Sequence, residues 1–102
     1  MAFSDNPLLR ADVVCFDVDS TVITVEAIDE FAAYLGLGAE VAAVTREAMQ
    51  GGMLFQDALD LRLKLMQPRR EQVEAFCDQH ALPLTEGVRE FVESLQRLNK
   101  TV

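Results

Sequence analysis

Four consecutive apolar residues, Val13, Val14, Cys15 and Phe16, are followed at once by an acidic pair, Asp17 and Asp19. A short unbroken run of this kind predicts a strand buried on both faces in a parallel sheet. Val22 to Val25 continue β-branched and predict extended or irregular chain. The period then becomes helical. Ile28, Phe31, Ala32 and Leu35 predict a helix that starts near Glu26 and stops at Gly36. A second helix, about Ala39 to Gln50, carries Val41, Val44, Thr45, Ala48 and Met49 along one side and ends at Gly51-Gly52. A third, about Leu54 to Met66, presents Phe55, Ala58, Leu59, Leu63 and Met66, with Arg62 lying inside that stripe. Pro68 stops it and suits the opening turn of a fourth, about Arg69 to Gln79, whose apolar side is Val73, Phe76 and Cys77. Leu82-Pro83-Leu84 forms a return linker. Thr85 is the expected N-cap of a fifth helix, about Glu86 to Asn99, along which Val88, Phe91, Val92, Leu95 and Leu98 keep helical spacing. Thr101-Val102 reads as the first step of another strand.

One strand, four short helices, a longer helix and a strand stub form the order of an α/β protein. It resembles a Rossmann-type core with a helical cap inserted after the first strand. The expected core is residues 1–25 and 81–102, and the expected cap is residues 26–80. A lone parallel strand cannot satisfy its own backbone groups, so the sheet is expected to be incomplete.

Half of the 102 residues are hydrophobic, which permits a modest core in one small domain. The formal charge of −8 disfavours phosphate backbones and anionic membrane surfaces, so neither nucleic acid nor membrane is an expected partner. Cys15 falls in the predicted buried strand and Cys77 in a predicted helix. Neither has the spacing of a zinc or redox motif, which fits a reduced, cytoplasmic chain. The N-terminal MAFSDNPLLR lacks a basic start and a long apolar core, so it reads as a loose lead-in and not as a signal or a membrane span.

The chemistry concentrates at Asp17 and Asp19. If the chain stays extended, residues two apart project from the same side at the carboxyl end of the strand, where open α/β sheets place their ligands. Two carboxylates there need a cation or a shared proton; the plainer reading is a strand-to-helix turn stabilised by aspartates. Glu26, in the first turn of a helix, is ordinary dipole stabilisation or an anion for an ammonium group. Arg62 in an apolar stripe either snorkels to the surface or, if buried, needs a partner, and its planar fork suits a carboxylate. Met49 and Phe55 are core residues or walls of a substrate pocket. His80, alone at a helix end, is assigned no catalytic role. Lys64, Arg69 and Arg70 read as a solvated face.

Asp17-Val18-Asp19-Ser20-Thr21 matches the DxDx[T/S] signature of the haloacid-dehalogenase-like (HAD) phosphohydrolases. The longer match, DVDSTVI followed by Glu26, Ala48-Met49-Gln50-Gly51 and Arg62, resembles the phosphoserine phosphatases of that superfamily over about Ala11 to Val102. The resemblance implies hydrolysis of O-phosphoserine, as in serine biosynthesis, through an aspartyl phosphate on Asp17 with Asp19 as general acid and base. It implies Mg²⁺ held by the Asp17 side chain and the Asp19 backbone carbonyl. It also implies Glu26 on the substrate ammonium, Arg62 on the substrate carboxylate, and Met49 as a further contact. Ser20 and Thr21 are expected to hold the turn. The family has three more catalytic elements beyond the matched stretch: a Ser/Thr, a Lys and an acidic metal-binding loop. The 102-residue chain alone is therefore expected to be incomplete and inactive. The alternative is a non-catalytic helical interaction module, whose unpaired strand edge invites a partner, a homodimer or other self-association.

Overall fold

The computed structural model describes residues 6–102, so the lead-in before Asn6 lies outside the described residues. The chain divides into two compact units. One comprises Pro83–Val102 with the described residues up to Thr24, and the other is Val25–Leu82.

In the first unit, α1 (Pro7–Arg10) turns part of the expected lead-in into a helix. Asn6 caps it by accepting from the Leu8 N–H at 2.9 Å, and Pro7 occupies a first-turn position where no backbone donor is needed. The Lys100 ammonium donates to the carbonyls of Leu9 and Ala11, which ties this turn to the end of the chain.

The predicted strand at Val13–Phe16 is reduced to a single parallel bridge between Val13 and Thr101. Val14 N–H donates to Thr101 O at 2.8 Å, and Thr101 N–H donates to Asp12 O at 2.9 Å. Burial on both faces is overturned as well. Val13 is 58% exposed and Cys15 is exposed, because among the described residues only Thr101 pairs with this segment and nothing flanks it further. Phe16 finds cover by meeting Phe91 edge to face, centroids 5.8 Å apart.

The last helix, α6 (Val88–Arg97), is shorter than predicted. Gly87 takes φ +84° and redirects the chain into it. Thr85 is not its N-cap, since the Thr85 hydroxyl donates instead to the Thr21 carbonyl. Among the described residues of this unit, Leu95 of α6 and Ile23 are the buried apolar ones, whereas Leu98 is exposed.

The second unit is a bundle of α2 (Ala27–Tyr34), α3 (Gly38–Met49), α4 (Phe55–Met66) and α5 (Arg70–Gln79). Gly36 ends α2 at φ +79°, allowing the Leu37 N–H to reach back to Ala32 O at 2.8 Å. Gly38 opens α3 where a side chain would press on the α2 backbone: a Cβ there would lie 3.2 Å from Ala33 Cα. The core is Phe31, Ala32, Val41, Met66 and Phe76, with Ile28, Tyr34 and Leu35 packed against it.

Two apolar faces differ from the sequence reading. In α4 the buried positions are Ala58, Arg62 and Met66, spaced by four; Phe55 is 73% exposed and Leu63 is also exposed. Ala58, Met66 and the Arg62 between them are thus buried as expected, whereas Phe55 and Leu63 of the same expected stripe face outward. In α5 only Phe76 is buried; Cys77 is exposed and Val73 is 42% exposed. One ring suffices there because Phe76 packs against Phe31 at 5.3 Å and Tyr34 at 5.5 Å, and carries His80 stacked on it at 5.1 Å.

These differences set up a direct test by urea unfolding followed through helical circular dichroism. Phe76→Ala should cost about 3 kcal/mol, the range for deleting a buried aromatic ring. Val73→Ala, one turn away on the same helix, should stay within about 1 kcal/mol. Comparable losses for the two would contradict the packing described.

Candidate functional site

The acidic pair sits in the first unit on a wide turn, Val18–Val22, closed by the Ile23 N–H donating to Val18 O at 3.1 Å. Asp17 is extended (φ −67°, ψ 149°) and so is Asp19 (φ −65°, ψ 130°), but the turn opens between them at Val18. Simple strand alternation therefore does not govern where the two carboxylates point. Ser20 reverses the chain in the left-handed region (φ 59°, ψ 18°), a conformation open to small polar residues at modest cost. Thr21 then folds back, and its hydroxyl donates to Asp17 Oδ2 at 3.1 Å. Asp17 is exposed and Asp19 half-buried.

Asp17 Oδ2 is thus held, and among the described residues Oδ1 has no hydrogen-bond partner. A carboxylate and a nearby backbone carbonyl are hard oxygen donors, the type Mg²⁺ takes alongside water and phosphate oxygens. Among the described residues no three His, Cys, Asp or Glu side chains gather closely enough to form a protein-only metal cage. The oxygen donors of the acidic turn are of the type that suits a hard cation.

The second unit holds the other three candidates. Glu26 is the N-cap residue of α2, half-buried, and its carbonyl accepts from the N–H groups of Asp29 and Glu30 at 3.1 and 3.2 Å. Met49 closes α3 and is 66% exposed, so it is not a core residue. Phe55, the other possible wall, opens α4 and is likewise exposed. Arg62 does the opposite of snorkelling, being only 7% exposed. Its Nε donates to Ala58 O at 3.2 Å and its Nη1 to Thr45 Oγ1 at 3.1 Å. The Thr45 hydroxyl in turn donates to Asp29 Oδ1 at 2.7 Å.

Asp29 and Thr45 were missed from sequence. By its spacing Thr45 reads as part of an apolar face, and Asp29 lies between the apolar positions of α2. The available signal was a polar residue on the inner side of each of two neighbouring helices, since buried polar groups require one another. The basic cluster is surface: Arg70 pairs with Glu74 at 3.0 Å, and Lys64 and Arg69 are exposed. No helix among the described residues is long and apolar enough to cross a membrane.

Comparison with known proteins draws the same stretch together. The chain is 52% identical over 92 residues to mouse (Mus musculus) phosphoserine phosphatase, covering 90% of this chain and 41% of the relative. Against the Drosophila melanogaster phosphoserine phosphatase it is 50% identical over 93 residues, covering 91% and 34%. A solved structure described as a phospho-aspartyl intermediate analogue of phosphoserine phosphatase superposes with a TM-score of 0.73 at 33% identity, covering 88% of this chain and 43% of that one. The chain thus spans less than half the length of these relatives. The family model for haloacid dehalogenase-like hydrolases matches residues 11–102, the whole stretch from the segment before the acidic pair to the end of α6 and beyond, and the chain belongs to that family.

Proposed function

We propose that this chain supplies the nucleophile and the amino-acid-binding groups of a phosphoserine phosphatase, which hydrolyses O-phosphoserine to serine and phosphate. The observation that carries the reading is Asp17, exposed on its turn with Oδ2 held by Thr21 and no partner on Oδ1 among the described residues. Identity of about 50% to phosphoserine phosphatases supports the substrate. On this reading the first unit is part of a Rossmann-type core and Val25–Leu82 is an inserted helical cap.

In the first step Asp17 Oδ1 attacks phosphorus and the bond from phosphorus to the serine oxygen breaks. Asp19, protonated, gives its proton to that oxygen, so neutral serine hydroxyl departs and Asp17 carries the phosphoryl group as an acyl phosphate. In the second step a water attacks the phosphoryl group, Asp19 as carboxylate takes the water's proton, and phosphate leaves with Asp17 regenerated. The Asp17 side chain and the Asp19 backbone carbonyl would hold Mg²⁺, which when bound offsets the charge of carboxylate and phosphate together. Glu26 would take the substrate ammonium and Arg62 its carboxylate, with Met49 as a further contact.

The test is a hybrid in which the matching 92 residues of the mouse enzyme are replaced by the corresponding residues of this chain. It should release phosphate from O-phosphoserine with Mg²⁺ over many turnovers, and Asp17→Asn should abolish the release. A folded hybrid without turnover, or turnover that survives Asp17→Asn, would refute the reading.

The 102-residue chain assayed by itself should show no turnover above the Asp17→Asn control. Phosphoryl transfer depends on charge neutralisation and positioning by several elements, and more than half of each relative's length lies outside the match. Repeated turnover by the chain alone would show that its own residues suffice.

In the hybrid, Arg62→Lys should raise KM for O-phosphoserine about tenfold while changing KM for p-nitrophenyl phosphate little, because a bidentate, charge-assisted contact is exchanged for a point charge. Equal changes for both substrates would remove Arg62 from carboxylate recognition.

A further inference from the structure

We propose that Thr45, itself held by Asp29, is the positioning residue that aims the Arg62 guanidinium, and that this relay sets the preference for substrates bearing a carboxylate. The proposal rests on the phosphoserine reading above for the role of Arg62, and extends it to two residues that touch no substrate.

The direction of each hydrogen bond follows from the groups involved. A carboxylate only accepts and a guanidinium only donates, whereas a threonine hydroxyl has one proton to give and lone pairs to receive with. Asp29 Oδ1, 2.7 Å from Thr45 Oγ1, takes that single proton. The Thr45 lone pairs are then committed to receiving, and Arg62 Nη1 donates to them at 3.1 Å. Thr45 is β-branched, on a helix and buried, so its hydroxyl has little rotamer freedom. The relay joins α2, α3 and α4, one residue from each.

Two further observations mark the relay as more than a structural tie. The first concerns charge. Among the described residues Arg62 forms no direct ion pair, because Asp29 meets it only through the hydroxyl. A direct pair would occupy the fork that a carboxylate ligand needs. The second concerns access. Nε and one Nη1 proton are used, and the Nη2 nitrogen has no protein partner among the described residues. No fully buried side-chain nitrogen or oxygen there lacks a partner, so Nη2 is not fully buried even though the side chain as a whole is only 7% exposed. The side chain is thus held at Nε and Nη1, with Nη2 left to donate to a carboxylate ligand.

Two measurements decide. In the 102-residue chain, ¹⁵N NMR of the Arg62 side chain should show restricted Nε and Nη groups. Thr45→Ser should preserve them, and Thr45→Val, equal in shape but without the oxygen, should set them moving freely. In the hybrid, Thr45→Val should raise KM for O-phosphoserine about tenfold, with kcat and the KM for phosphoethanolamine, which has the ammonium and phosphate but no carboxylate, kept within about twofold. Thr45→Ser should restore the wild-type ratio.

If Thr45→Val, still folded by circular dichroism, weakens both substrates equally, or leaves the Arg62 signals unchanged, Thr45 is only a packing residue and the proposal falls. If Arg62→Lys fails to separate the two substrates, the carboxylate reading falls and takes this one with it. If Arg62→Lys separates them and Thr45→Val does not, the relay alone is refuted.

Discussion

A guanidinium does not give up its proton at any ordinary pH, so a helix that buries one obliges its neighbours to bring oxygen to it. Arg62 imposes that condition on the helical unit. Its own helix supplies one acceptor at Ala58 O, one turn back, and α3 must supply the next through Thr45. Thr45 can serve only if its proton has somewhere to go, which brings in Asp29 from α2. Stranding a buried charge costs about 3–5 kcal/mol, a large share of what holds a small domain folded. Registers of these helices that part Arg62 from Thr45 are correspondingly penalised. Apolar packing of Phe31, Val41, Met66 and Phe76 draws the helices together without specifying their rotation as sharply.

The acidic turn obeys a different constraint. Asp17 is exposed, so desolvation does not dictate its place; the backbone around it does. The segment before Asp17 pairs part of its backbone with Thr101. Beyond Asp17 the chain must reverse within a few residues to reach Ile23. Ser20 accepts the left-handed conformation that this reversal needs, and the Thr21 hydroxyl takes up the carboxylate oxygen that faces back over the turn. The carboxylate and the hydroxyl that holds it therefore come from one five-residue stretch.

Helices were the legible part of the sequence because their signals are local. Gly36 and the spacing of Ile28, Phe31, Ala32 and Leu35 carry α2 within a residue or two of its observed limits, and α3 and α4 follow similarly. Which side of a helix is buried was less legible. In α4, four leucines, Leu59, Leu61, Leu63 and Leu65, spread apolar character round the cylinder, so the stripe that rightly holds Ala58, Arg62 and Met66 also takes in the exposed Phe55 and Leu63. The strand failed for the opposite reason: Val13 to Phe16 have strand composition, but a strand is completed by its neighbours, and among the described residues the neighbour is one residue long. At the candidate site, Asp17, Asp19 and Arg62 stood out as charges in apolar settings. Thr45 did not, because a threonine on a helical stripe is indistinguishable from a small apolar residue until something is seen opposite it.

The chain leaves the first unit at Thr24 and returns at Pro83, and those two residues are hydrogen-bonded to each other, Thr24 N–H to Pro83 O at 3.0 Å. Ile23 and Leu84 form an antiparallel bridge beside them, and Thr85 N–H donates to Val22 O at 2.8 Å. The ends of a long insertion are thereby stapled. Closing so long a loop costs an entropy that grows only logarithmically with its length, so a few backbone bonds at the base can hold it whatever the helices inside contribute. Thr21 joins the staple to the acid: its carbonyl receives the Thr85 hydroxyl while its own hydroxyl holds Asp17. If Asp17 is the nucleophile proposed above, its placement matters, since an ångström of misplacement of a reacting group costs about a hundredfold in rate. Asp17 is thereby tied, through Thr21, to the paired segments at which the chain leaves and re-enters its own unit.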